Sequence, residues 1–405
     1  MTTTAAPPAA GRRRSVTAYV LCSAGYAVVN NIYGASYVLL LRSRGFSPAR
    51  IGQALFVSVL VLTVCDYPTG TLADRYGRRL ILGLGFLVWG SALLGFGLAH
   101  RFAVVVVSVA VWGVGLALVS GTASSWLVDQ LRAVGDEQAY RRVLPRTSGA
   151  CLLVGAAAAA AGSPLVAWAG LAAPVLVAAG LALVSGLLIL TLMPENRGTG
   201  EPIGRSLRRS TVQVLRGPLR RLLFVNFAAS VPLGVFLVTW QIDATERAGL
   251  APEALGPIFA VLMLAIAGGN FLAGRLITRY PPRRITAAAC AVMAAGGIVA
   301  AGARLPAVLV GALLTIEVGM GLFSGAFLTW VHDLAEDEHR AAMTSAVLTA
   351  GAAAGVAVTP LVGLVLEHAG PGAAWTVEVA GAGLALLLLV ASREAPYAAV
   401  GNGRR

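Results

Sequence analysis

Asp66, Glu317 and Glu378 are carboxylates set inside long apolar stretches of a 405-residue chain. In a membrane-spanning helix such a group costs roughly 2.5 to 3.5 kcal/mol on insertion scales, so each marks a candidate site for binding or moving charge. A carboxyl held among apolar groups suits the loading and release of a proton. Glu317, near the middle of its stretch, and Asp66, two turns before Asp74, are the proton-coupling candidates. Other chemistry finds few residues. His100, His332, His339 and His368 lie near loops without Cys or His partners at ligand spacing, so no metal is expected. No Lys occurs, and with it no Gly-Lys-Ser/Thr phosphate loop, which speaks against an ATP-driven pump. Cys22, Cys65, Cys151 and Cys290 all fall within apolar stretches and read as small packing residues rather than a disulfide framework.

The elements that must position these groups are spanning helices. Only 12% of residues are charged and 57% are hydrophobic, a balance that places the chain in a bilayer. Twelve continuous apolar runs are each long enough to cross a hydrocarbon core of roughly 30 Å. They cover 16–41, 51–72, 80–99, 102–128, 147–168 and 172–193, then 219–242, 254–277, 285–303, 307–330, 344–367 and 373–392. Continuous runs of this length are helical, because a helix satisfies its own backbone groups in lipid. The expected organisation is a tail at 1–15, a six-helix bundle at 16–193, a hydrophilic linker at 194–218, a second bundle at 219–392 and a tail at 393–405.

The net charge of +13 comes from 31 arginines. With the N-terminus in the cytoplasm, 25 of them fall on the inner side and 6 on the outer, which is the positive-inside bias. Both termini are therefore expected in the cytoplasm. Because the arginines are spread over short loops, nucleic acid is not an expected partner.

Between the second and third runs lies Gly70-Thr71-Leu72-Ala73-Asp74-Arg75-Tyr76-Gly77-Arg78-Arg79. Part of it returns 204 residues later, where Gly274, Leu276, Arg279 and Tyr280 match Gly70, Leu72, Arg75 and Tyr76. The same offset pairs Ser120-Gly121 with Ser324-Gly325, Trp126 with Trp330, and Asp129 with Asp333. Further on the register becomes 196, matching Ser163-Pro164-Leu165-Val166 to Thr359-Pro360-Leu361-Val362. The chain is thus two copies of one six-helix unit. Its acid is missing from the second copy, where Thr278 stands at the place of Asp74 and Pro281-Pro282 follow.

The pattern Gly-x-Leu-x-Asp-Arg-x-Gly-Arg-Arg between spans two and three resembles the cytoplasmic loop signature of the major facilitator superfamily. The resemblance implies an all-α membrane protein of twelve transmembrane helices in two pseudo-symmetric six-helix bundles, moving a small molecule by alternating access. It further implies a gating loop of Gly70, Asp74, Arg75, Gly77, Arg78 and Arg79. In it Arg75 or Arg78 pairs with an acid at the inner end of helix four, here Asp129, and Asp74 contacts the start of helix eleven near Thr344-Ser345. Arg279 and Asp333 would repeat the pair. In the family fold helices one, four, seven and ten line the cavity, which ranks Glu317 on helix ten first and gives Glu378 on peripheral helix twelve a structural role.

Asn31, Tyr33, Trp240, Gln241 and Asn270 are the expected substrate-cavity residues, with Asn31 set between the small Ala27 and Ala35. Trp126 and Trp330, at inner helix ends, are expected as aromatic-belt anchors. Helix four lacks the Arg common in proton-driven members, and helix five carries Gly162-Ser163-Pro164 in place of the Gly-Pro signature of antiporters. The resulting expectation is a non-enzymatic, monomeric, drug-efflux-like antiporter of a bacterial inner membrane, exporting a small amphipathic molecule. It uses no cofactor and is driven by a proton gradient. Import of a small polar metabolite is the alternative, and a membrane sensor or scaffold without flux is an alternative of another class.

Overall fold

A computed structural model describes residues 8–195, 219–334, 347, 351 and 354–391. The described residues are helical, with no strand among them. Expected features that lie outside them are the linker beyond residue 195, both distal tails, and Thr344-Ser345.

The helices run α1 (Pro8–Asn31), α2 (Tyr37–Ser43), α3 (Pro48–Tyr76), α4 (Arg78–Leu98), α5 (Phe102–Val119), α6 (Thr122–Ala133), α7 (Tyr140–Ala169) and α8 (Ala173–Leu192) in the first half. The second half has α9 (Leu219–Ala229), α10 (Val231–Ile242), α11 (Leu255–Leu276), α12 (Pro282–Gly302), α13 (Pro306–Leu334) and α14 (Thr359–Ala391). Ten stretches among them are long and apolar enough to cross a membrane. The last, Ala354–Ala391, bends at Gly370 (φ 79°) into two arms.

Three runs expected to be continuous are broken. The first stops at Asn31 and resumes at Tyr37. Asn31 Nδ2 bonds to Ala27 O at 2.8 Å, the kind of local side-chain bond with which Asn competes against a helical ladder. The fourth breaks at Ser120-Gly121, with Gly121 left-handed (φ 67°). The seventh breaks at Ser230, whose hydroxyl donates to Asn226 O at 2.7 Å ahead of Pro232, and ends in a widened turn over Asp243–Arg247.

The repeat is visible in contacts as well as in sequence. Arg44, just past α2, donates to Phe96 O (3.0 Å), Gly97 O and Ala99 O (2.6 Å) at the C-terminal end of α4. Arg247, in the corresponding place of the second half, donates to Ala300 O (2.6 Å) and Ala301 O (2.8 Å) at the end of α12. In each half one guanidinium satisfies carbonyls that a helix end leaves orphaned and adds favourable charge at the negative end of its dipole. A second pair sits at the opposite ends of the same helices: Arg79 donates to Met193 O (3.3 Å) and Arg283 to Leu389 O (2.6 Å).

Among the described residues, the second half alone backs its end-cap with an acid. Asp243 is fully buried, receives Arg247 Nη2 at 2.6 Å, and accepts from Trp375 Nε1 at 2.7 Å. Removing one partner of such a buried pair typically costs about 3–5 kcal/mol, because a charge is left without compensation. Arg247→Met is therefore expected to lower the melting temperature of the purified protein far more than Arg44→Met does. Equal shifts in thermal unfolding would contradict the structural role given to Asp243.

Candidate functional site: gate and cavity

Gly77 organises the loop end. Its φ of 105° ends α3 and starts α4 in one residue, which puts Arg78 and Arg79 into the first turn of α4. That backbone conformation favours glycine, and a Cβ there would press on the Glu195 carboxylate. Glu195 in turn accepts from Arg79 N at 3.1 Å and lies 3.2 Å from Arg79 Nε, an acid placed at a helix N-terminus.

Arg78 bridges two acids. Its guanidinium lies 3.1 Å from Asp74 Oδ1 and 2.7 Å from Asp129 Oδ2, with only 12% of its side chain exposed. Of the two arginines expected as candidates for Asp129, Arg78 makes the pair. Arg75 is exposed and lies over the Tyr76 ring, 5.5 Å from its centroid. Gly70 lies within α3. Trp126 is fully buried and donates from Nε1 to Pro194 O at 3.1 Å, so it ties α6 to the end of α8 and is no belt anchor. Among the described residues no ion pair joins Arg279 to Asp333. What the second half keeps of the device is the Arg79 arm, as Arg283.

The halves meet at the opposite end, away from this loop. Arg42 Nε reaches Glu246 Oε1 at 2.6 Å across 204 residues, the repeat offset itself, so equivalent positions of the two copies touch. Glu367 accepts from Ala49 N at 3.1 Å at the start of α3, Thr359 Oγ1 donates to Gly52 O at 2.9 Å, and Tyr37 Oη donates to Leu237 O at 3.3 Å. Gly52 and Gly363 let α3 and α14 approach backbone to backbone, since a Cβ on either would collide with a main-chain carbonyl of the other helix. Small residues serve membrane helices in this way.

The break in the first run supplies a further seal. Gln241 Nε2 donates to Gly34 O at 2.9 Å, and the Phe259 ring covers Gly34. Phe259 stacks on Trp240 (5.8 Å), which stacks on Phe236 (5.6 Å). Tyr33 lies 2% exposed, edge-on to Trp112 and Tyr37. Tyr33, Trp240 and Gln241 are thus buried in and beside the closure, not on the cavity wall where they were expected. The reason is that their ring faces and amide pack against groups of other elements, which hydropathy along one run does not reveal.

Asn31 does line a cavity, of about 520 Å³. The walls come from α1, the α5–α6 break and α7, and Met263 of α11 reaches in from the other half. Asp66 and Asn270, related by the repeat offset, are both exposed, and Asn270 Oδ1 accepts from Ser324 Oγ at 2.7 Å. Glu317 is buried on α13, on the strip that continues through Gly321 to Ser324, against α11. It makes no hydrogen bond among the described residues. Glu378 is fully buried with both oxygens unpartnered, pressed against the Cα of Gly297 in α12.

Comparison with known proteins agrees with this architecture. A family model described as Major Facilitator Superfamily matches residues 19–360. The chain belongs to the major facilitator superfamily. It is 40% identical over 58 residues to the Probable L-galactonate transporter of Escherichia coli (strain K12), a match spanning 14% of this chain and 13% of that relative's length. Among solved structures it resembles the nucleoside transporter NupG (TM-score 0.76, 13% identity, 94% of this chain and 98% of that one). It also resembles a bacterial homologue of the human lysosomal transporter Spinster in an inward-facing, occupied conformation (TM-score 0.70, 16% identity, 95% of each chain). At these identities the likeness is one of fold.

The bridging geometry sets an expected order of stabilities. Arg78→Leu leaves Asp74 and Asp129 without their shared cation, with expected losses of about 1.5–3 kcal/mol from charged hydrogen bonds. Asp129→Asn keeps the Asp74 partner, and an effect of about 0–1 kcal/mol is expected. Chemical or thermal denaturation of the two variants reads the difference, and an Arg78→Leu variant as stable as Asp129→Asn would refute the bridge.

Proposed function

We propose that this chain is a secondary active transporter that carries a small polar molecule by alternating access, coupled to protons at Glu317 with Asp66 as the second acid. The observation that carries the reading is the asymmetry of contact: among the described residues, polar bonds and glycine-mediated packing join the halves at one end, beside a cavity to which the second half contributes Met263. A single molecule that binds there is screened from one side and reached from the other.

The positive-inside bias puts the Gly70–Arg79 end in the cytoplasm of a bacterial inner membrane, which makes this arrangement inward-open. Counting α1 with α2 as one crossing and the two arms of α14 as two gives twelve spans with both termini inside. The protein works as a monomer, since each state needs only the two halves of one chain. Of the two cargo classes read from the sequence, the polar metabolite is favoured over an amphipathic drug, because the cavity wall carries Ser, Thr, Tyr and Asn side chains. Proton antiport exports it and proton symport imports it.

The test is flux in proteoliposomes and inverted vesicles, with nucleosides, sugars and sugar acids as the cargo panel under an imposed pH gradient. Glu317→Gln is expected to abolish gradient-driven accumulation, and transport unchanged in that variant would remove Glu317 from the mechanism. Cross-linking Arg42→Cys to Glu246→Cys with a short reducible linker is expected to stop flux until the linker is cleaved. Flux that persists in the linked protein would overturn alternating access about this closure.

A further inference from the structure

Among the described residues, the cavity wall is polar and carries no charged side chain. Its polar groups include Tyr26 and Asn31 from α1, Ser120 at the α5–α6 break, and Thr147 and Ser148 from α7. No Arg, Asp, Glu or His is among the residues lining it, and the chain has no Lys to supply a cation. The hydroxyls of Tyr26, Ser120, Thr147 and Ser148 make no hydrogen bond to another described residue, and Asn31 commits one amide hydrogen to Ala27 O, which leaves its Oδ1 free to accept. Val119, Leu152 and Met263 add apolar surface to the same wall.

We infer that the cargo is an uncharged small molecule that presents several hydroxyl groups together with an apolar or aromatic portion. This rests on the transporter reading above and narrows its substrate class. A hydroxyl both donates and accepts, so a wall of hydroxyls matches ligand hydroxyls in either sense. A carboxylate or phosphate demands charge-assisted donors, typically from Arg, and none is among the described residues that line this space. Burying an unpaired anion there carries a heavy desolvation cost. A lipophilic cation meets no carboxylate on the wall to offset its own desolvation. The volume falls within the range of about 300–1,000 Å³ in which small-ligand sites lie, and accommodates a monosaccharide or a nucleoside. A sugar acid such as galactonate is thereby disfavoured for this chain, whatever its relative carries.

Cys151 and Cys22 line the same cavity and report its occupancy. The wild-type protein in proteoliposomes is labelled with N-ethylmaleimide, and alkylation at Cys151 is followed by peptide mass spectrometry. The added probes are uridine, galactose, galactonate and tetraphenylphosphonium. Uridine or galactose at about ten times its Kd is expected to slow labelling by about tenfold, as 1 + [L]/Kd requires, while galactonate and tetraphenylphosphonium leave it unchanged. In Thr147→Val and Asn31→Leu, shape-conserving changes that remove polar atoms, the same probe concentration is expected to protect less, with unprotected labelling rates unchanged. Protection by galactonate or tetraphenylphosphonium with both neutral probes inert would overturn the inference, and so would no protection by either neutral probe. Alternating access is scored separately by the cross-link between positions 42 and 246, so either result leaves that reading standing or falling on its own.

Discussion

The two halves of this protein are strongly held within themselves and weakly held to each other, and the rest of the structure depends on that difference. Within the second half, a fully buried carboxylate, a guanidinium and two backbone carbonyls lock three helix ends together. Between the halves, the one ion pair among the described residues is Arg42 with Glu246, whose side chains are 37% and 45% exposed. Exposed pairs of this kind contribute about 0–1 kcal/mol. The closure therefore relies on van der Waals approach at Gly52, Gly363 and Gly34 together with the hydrogen bonds of Gln241, Thr359, Tyr37 and Glu367, whose groups must find water or other partners when the helices part. Under the proposed alternating-access cycle, contacts of this kind suit an end that must open.

The repeat clarifies which features belong to the fold and which to the gate. Arg44 with Arg247, and Arg79 with Arg283, survive in both copies because each half needs its third helix secured at both ends. The triad of Asp74, Arg78 and Asp129 exists in the first half alone. Loss of the acid at Thr278 thus spares the device that holds the second bundle and removes the one that adds charge to the loop.

The sequence was most legible where a feature depends on length and spacing. Continuous apolar runs gave helices, and the pairing of Asp129 with Arg75 or Arg78 was implied by the resemblance of the loop to its family signature, the structure selecting Arg78. The breaks at 32–36, 120–121 and 230 were not legible, because each leaves backbone groups that are satisfied by side chains distant in sequence or by local turns. Gly34 O is the clearest case: its partner is Gln241, 207 residues away, in the other half. The same physics displaced Tyr33, Trp240 and Gln241 from the cavity to the closure. Their aromatic and amide groups looked like ligand contacts because no single run shows what packs against it. Asn31 was legible in part: Ala27, one turn before it, lines the cavity beside it, while Ala35 lies in the break beyond α1.

The most direct test of this account is a pair of distance distributions from double electron–electron resonance in nanodiscs. One spin-label pair at Arg50 and His368 reports the closed end, and one at Tyr76 and Tyr280 reports the loop end; all four are exposed. The account predicts two populations in each pair that shift in opposite senses on adding a transported cargo, the Arg50–His368 distance lengthening as the Tyr76–Tyr280 distance shortens. A single population at both pairs under every condition, or distances that lengthen and shorten together, would contradict it.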